Sequence, residues 1–212
     1  MGCADPDRDC PLCPRLVDYR RQLRVAHADW FNAPVPSFGA GDAELLIVGL
    51  APGVAGANRT GRPFTGDFAG ELLYGTLIKF GFAEGTFRAD PNDGLQLRGC
   101  LLSNAVRCVP PQNKPTPAEI TTCNGFLASR IEALPNLRAI VALGRIAHDA
   151  ALKAMGEKRS RFAFGHGARH QVRGLNLFDS YHCSRYNTNT RVLTPAMFED
   201  VFQAVRLFLD RR

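Results

Sequence analysis

The sequence predicts an α/β fold with a central, mainly parallel four-stranded sheet and helices on both faces. Three observations predict it. Four short apolar runs, "ELLIVGL" (44–50), "GCLLSNAV" (99–106), "LRAIVALG" (137–144) and "LNLFDSYH" (175–182), have the length and continuous hydrophobicity of strands buried on both sides. The stretches between them have helical periodicity and are long enough to cross over the sheet. A chain of 212 residues, 45% of them apolar, suits one domain with a sizeable core.

The elements follow in order. Residues 1–13 are a polar lead-in with cysteines, and "RLVDYRRQLRVA" (15–26) sets Leu16, Tyr19 and Leu23 on one helical face with arginines opposite. "DWFNAPVPSFGAGDA" (29–43) reads as a loop rich in Gly and Pro. After the first strand comes "GLAPGVAGANRTGRPFTGDFAG" (49–70), which holds six glycines, two prolines and two arginines. "AGELLYGTLIKFGF" (69–82) is a helix with Leu72, Leu73, Leu77 and Phe80 on its apolar face. The proline-rich loop "VPPQNKPTP" (109–117) leads into a helix over 116–134. That helix opens with Thr116, Pro117 and Glu119, a capping-box pattern. "RIAHDAALKAM" (145–155) is the next crossover helix, and a Thr-Pro start opens the last one over 194–210. No internal repeat or long linker divides the chain. It reads as a single domain over 1–212 with a cysteine-bearing arm of about 1–30.

In parallel sheets of this kind the ligand site lies beyond the carboxyl ends of the strands. The loops "GLAPG", "SNAVRCVPPQNK", "ALGR" and "SYHCSRYN" leave those ends and should converge on one crevice. The net charge of +6 rests mostly on arginine, with lysine only at positions 79, 114, 153 and 158. Arginine grips phosphate bidentately, so nucleic acid is a candidate partner. No apolar stretch approaches the ~20 residues of a membrane span. The N-terminus lacks the apolar core of a signal peptide. A cytoplasmic protein, nucleoid-associated when bound to DNA, is the expectation, with no membrane partner.

Of the seven cysteines, Cys10 and Cys13 form C-x₂-C, and Cys108 and Cys123 lie far downstream. Four soft sulfur ligands suit zinc or an iron–sulfur cluster, and their spacing separates neither metal from the other nor either from a redox dithiol with two core thiols. Cys100 sits in an apolar strand, Cys3 in the tail and Cys183 beside His182, and none of the three is counted as a ligand.

Together, "GLAPGVAGANRTGRPFTGDFAG", "NAVRCVPPQNKPTP", "VALGRIAH" and "SYHCSRYNTNTRVLT" resemble the uracil-DNA glycosylase superfamily, in particular its iron–sulfur-containing family 5, type b. The resemblance covers nearly the whole chain. It implies a three-layer α/β/α sandwich and a 4Fe–4S cluster on Cys10, Cys13, Cys108 and Cys123. It further implies a monomeric enzyme that removes uracil, and other deaminated bases such as hypoxanthine or xanthine, from DNA. Other branches carry an acidic residue or Asn directly after the first glycine of the first motif. Here Leu50 stands there, as in type b, and it accepts no proton. Cys183 also stands where most relatives have proline between the histidine and serine of the last motif. A non-catalytic iron–sulfur nucleic-acid binder is the alternative that Leu50 keeps open.

Excising a base requires flipping it out of the stack, holding it, stabilising the departing anion and placing a water. Gly49, Ala51, Gly53, Phe64 and Asn104 are the expected base-binding residues. The glycines would admit the base close to backbone amides, Phe64 would stack, and the Asn104 amide would read a base edge. His182 is the candidate donor to the base anion. Asp67 is the nearest carboxylate, read equally as a water-orienting group and as an N-cap. Asn113 is a candidate to hold the water. Arg59, Arg62, Arg107 and Lys114 are expected at phosphates, and Ser184, Arg185 and Tyr186 in the groove around the vacated space.

Overall fold

The computed structural model describes residues 5–211, so Cys3 lies outside the described residues. The strands are β1 (Phe38–Gly39), β2 (Leu45–Gly49), β3 (Ala83–Glu84), β4 (Gln96–Leu97), β5 (Cys100–Asn104), β6 (Ala139–Leu143), β7 (Arg169–Val172) and β8 (Leu175–Ser180). The helices are α1 (Pro14–Ala26), α2 (Ala57–Thr60), α3 (Phe68–Lys79), α4 (Pro117–Glu132), α5 (Arg145–Ala154), α6 (Arg185–Asn189) and α7 (Pro195–Leu209).

The four expected strands pair in parallel in the order β5-β2-β6-β8, with Leu46 opposite Leu101 and Val141 opposite Phe178. The sheet has six strands rather than four, because β1 joins β5 and β7 joins β8, both antiparallel. Neither edge strand carries an apolar signal. β1 is two residues inside the Gly/Pro-rich loop, and β7 reads "RHQV", with only Val172 buried. β3 and β4 make a separate two-stranded ribbon.

The strands bury both faces, which accounts for their unbroken apolar runs. On one face Ile47, Leu102 and Val141 pack with Leu73 and Leu77 of α3 and Phe198, Phe202 and Val205 of α7. On the other, Leu46, Leu101 and Ile140 pack with Leu127 of α4 and Ala147 and Ala151 of α5. The result is the three-layer α/β/α sandwich. α1 lies outside these layers, where Leu16 meets Val106 and Cys123. The capping box of α4 forms as expected: Thr116 accepts from the Glu119 amide at 3.2 Å and the Glu119 carboxylate accepts from the Thr116 amide at 2.7 Å. No helix among the described residues is long and apolar enough to cross a membrane.

Candidate active site

The strand-end loops do converge. At the carboxyl ends of the parallel strands lies a cleft of about 600 Å³ lined by Leu50, Ala51, Gly53, Asp67, Phe68, Ala69, Asn113, His182, Ser184 and Arg185. Seven of these are expected site residues. Leu50, Phe68 and Ala69 are wall residues that carried no chemical signal in the sequence.

Asp67 occupies the N-cap position of α3 with extended backbone (φ −129, ψ 167), yet its side chain makes no capping hydrogen bond. Oδ1 is buried without a partner. Burial pushes its pKa above the ordinary value, and the amides of Gly70 and Ala69 pull it back only partway. Asp67 thus sits at the N-cap position with the Ala69 and Gly70 amides beside its carboxylate while Oδ1 stays unpaired, an arrangement that fits both readings of this residue. The carboxylate also packs closely against the glycine-rich loop. A Cβ on Gly56 would lie 2.5 Å from Oδ2, and one on Gly53 would lie 3.1 Å from it.

The same logic explains much of the glycine-rich stretch, while Ala51 and Gly53 line the cleft. The space a side chain would take is filled by the protein itself. A Cβ on Gly49 would lie 2.4 Å from the Phe64 ring and 2.5 Å from Asn104 Oδ1. One on Gly70 would collide with the Phe64 carbonyl at 2.0 Å. Gly49 and Asn104 are register partners at the ends of β2 and β5, so Gly49, Phe64 and Asn104 form one packed group beneath the cleft rather than its wall. Phe64 is 6% exposed and takes the left-handed conformation (φ 54), uncommon for a bulky residue. Its ring centroid is 6.3 Å from that of His182, so the two aromatics share one neighbourhood.

His182 follows the end of β8. Asn187 Nδ2 donates to its carbonyl at 2.9 Å, and Tyr181 N–H donates to His166 Nδ1 at 3.1 Å just before it. Gly144, at φ +96, leaves room beside the His182 Cβ. The His182 ring makes no hydrogen bond to a described residue, and desolvation pushes its pKa down to about 4. It is a neutral imidazole with ring nitrogens free for a ligand. Ser184 caps α6, a short helix within the expected groove-entering loop, by accepting from the Asn187 amide. The guanidinium of Arg185 lies 5.3 Å from the Phe68 ring centroid, and Tyr186 stands 74% exposed on the rim. Arg59 and Lys114 are exposed, Lys114 next to Asn113 and Arg59 in a separate hollow with Trp30 and Phe31.

Two of the four expected phosphate contacts are elsewhere. Arg62 is buried in a two-pronged pair with Asp93, at 2.8 Å on each oxygen, and its guanidinium lies 5.3 Å from the centroids of both Phe38 and Tyr74. Arg107 is 1% exposed and donates to Asp5, Ser37 and Val35. Both are internal fasteners that composition cannot tell from surface cations. Arg62→Ala is accordingly expected to cost about 3–5 kcal/mol of folding stability by leaving the buried Asp93 carboxylate without its counter-charge, held only by the Arg88 and Leu95 amides. Denaturant unfolding checks this, and an unchanged midpoint with weakened DNA binding would restore the phosphate role.

Cys10, Cys13, Cys108 and Cys123 line one hollow with Leu16, Val106 and Phe126, and the arm and the core each contribute two of them. None is in a disulfide. Arg107 N–H donates to Cys123 Sγ at 3.3 Å, and Arg20, 3% exposed, donates to Cys108 Sγ at 3.5 Å.

A family model described as the uracil DNA glycosylase superfamily matches residues 36–206. Among curated relatives, the type-5 uracil-DNA glycosylase of Thermus thermophilus is 44% identical over 203 residues, covering 93% of this chain and 92% of the relative. The enzyme of the same name from Mycobacterium leprae is 43% identical, with coverage of 92% and 89%. That of Pyrobaculum aerophilum is 37% identical, with coverage of 92% and 87%.

Proposed function

This chain belongs to the uracil-DNA glycosylase superfamily, and from that premise we propose that it is a monofunctional DNA repair glycosylase, hydrolysing the N-glycosidic bond of uracil flipped out of DNA and leaving an abasic site. The observation that carries the reading is a buried carboxylate with an unpartnered oxygen and a neutral imidazole facing the same cleft, Asp67 and His182.

Breaking the bond leaves positive charge on the sugar and negative charge on the base. A neutral His182 donates a hydrogen bond to the developing base anion, which costs no proton and no rearrangement. The Asp67 carboxylate, desolvated and with Oδ1 unpartnered, stabilises the sugar cation and orients a water with the Asn113 amide. Leu50 then needs no proton-accepting role, since it serves as apolar wall. Phe64 and Asn104 support the base from beneath, and Ala51 and Gly53 border it. Arg59, Lys114, Arg185 and Tyr186 remain for the DNA strand. Hypoxanthine and xanthine are further substrates of the same cleft.

The four cysteines, gathered into one hollow from the arm and the core, supply the thiolate set that a 4Fe–4S cluster takes. When bound, it supplies a covalent cross-link between the arm of about 1–30 and the core, making one domain of 1–212. Cys108→Ser should lose iron and the brown colour, and a variant with full iron content would refute the ligand assignment.

The decisive experiment is incubation with a duplex carrying one uracil, followed by alkali. Strand breaks at the uracil are expected. Binding without breaks would favour the non-catalytic reading.

A further inference from the structure

The loop that carries Asn113 to the cleft is held in an unfavourable shape. Gln112 and Asn113 are consecutive non-glycine residues with positive φ, 57 and 56. Such residues persist only where their surroundings hold them, and such strain concentrates at functional sites. Within the loop, only two backbone bonds of 3.1 Å close the turn, Asn113 N–H to the Pro110 carbonyl and Lys114 N–H to the Pro111 carbonyl. The outside hold comes from the arm. Arg15, the second residue of α1 and two beyond Cys13, donates through Nη2 to the Lys114 carbonyl at 3.1 Å. Its Nε and Nη2 also grip both oxygens of Glu119, at 2.8 and 2.7 Å. The Glu119 carboxylate in turn closes the capping box at the start of α4. Among the described residues, no other side chain hydrogen-bonds to residues 109–115.

We propose that Arg15 is a positioning residue for base excision, a fork on the arm helix that fixes the carbonyl next to Asn113 and so sets its amide in the cleft. The inference rests on the role given to Asn113 above. The fork geometry matters because a lysine presents a point charge and cannot span the carboxylate and the carbonyl in one plane. It also gives the arm a task in catalysis that a bare cross-link would lack.

The test is single-turnover excision of uracil from a duplex by Arg15→Met, Arg15→Lys, Asn113→Ala and the Arg15→Met/Asn113→Ala double variant. Affinity for abasic duplex and iron content are measured alongside. Arg15→Met is expected to lower the rate constant about tenfold, as a small misplacement of a reacting group does, with affinity and iron within about twofold of wild type. Arg15→Lys should recover little, and the double variant should be no slower than Asn113→Ala alone. A wild-type rate for Arg15→Met, a loss confined to affinity, or a full additional tenfold loss in the double variant would overturn the proposal. If Asn113→Ala itself excises at the wild-type rate, the role of Asn113 fails first and visibly. Should Arg15→Met not fold, Glu119→Gln carries the test. It can keep the capping box while weakening the grip on Arg15. A loss of about threefold is then expected in the rate constant alone, and a wild-type rate overturns the proposal.

Discussion

Asp67→Asn is expected to slow uracil excision by about 10²–10⁴-fold while raising the melting temperature at neutral pH. Both effects come from one feature. The Asp67 carboxylate is desolvated, its Oδ1 has no partner, and its pKa is raised from 3.8. A carboxyl that holds its proton more tightly folded than unfolded opposes folding wherever it is ionised. The stability gain from asparagine should therefore be full above the folded-state pKa and should fade as the pH falls through it towards 3.8. The same desolvated negative charge is what a developing sugar cation needs. Excision rates and thermal melts at pH 7 and pH 4 check the pair. An asparagine variant that melts below wild type at pH 7 would mean that Asp67 is a structural cap after all. One that excises at near the wild-type rate would remove the carboxylate from the chemistry.

Asp67 also marks where sequence reasoning stops. The parallel core of the sheet was legible because strands buried on both faces must be apolar throughout, as β2, β5 and β6 are. The edge strands were not, since "RHQV" is held by its pairing with β8 and by Arg169 bonding to Asn176, rather than by a pattern of its own. Asp67, Asn113 and His182 could be expected together because they stand in loops leaving the strand ends, and all three line the cleft. Their surroundings could not. An Asp before a helix looks the same whether or not it caps, and only the collision distances at Gly53 and Gly56 show that the carboxylate has been packed against the loop backbone. Arg62 and Arg107 failed as phosphate contacts for a related reason. The carboxylates that hold them, Asp93 and Asp5, are distant in sequence. Buried ion pairs are written in three dimensions. The number of glycines announced a close approach, and Phe64, Asn104 and Asp67 of the same chain are among the groups that approach.

His182→Ala should lower excision by about 10²-fold or more, with affinity for abasic duplex little changed. The loss falls on the rate because the imidazole meets a charge that exists only as the bond breaks. The pH dependence distinguishes this role from that of an imidazolium. With its pKa pushed down to about 4, His182 is neutral throughout the physiological range. The wild-type rate should then show no rise as pH falls through about 6.5, where an ordinary histidine gains its proton. Stability carries the matching signature. The unfolded chain binds a proton at His182 below about 6.5 and the folded chain does not until about 4, so this residue makes the fold progressively less stable as pH drops across that window. The alanine variant should lose less stability over the same window than wild type does. His148 works in the opposite sense: burial lowers its pKa, but its 2.7 Å contact with Asp179 outweighs that and leaves it raised. Its contribution is present at low pH and lost as pH rises, and it is common to both proteins, so the difference between their melting curves isolates His182. A loss of less than threefold, or a wild-type rate that climbs below pH 6.5 and stops climbing in the variant, would remove the neutral donor from the reaction and leave the base anion without its stabiliser.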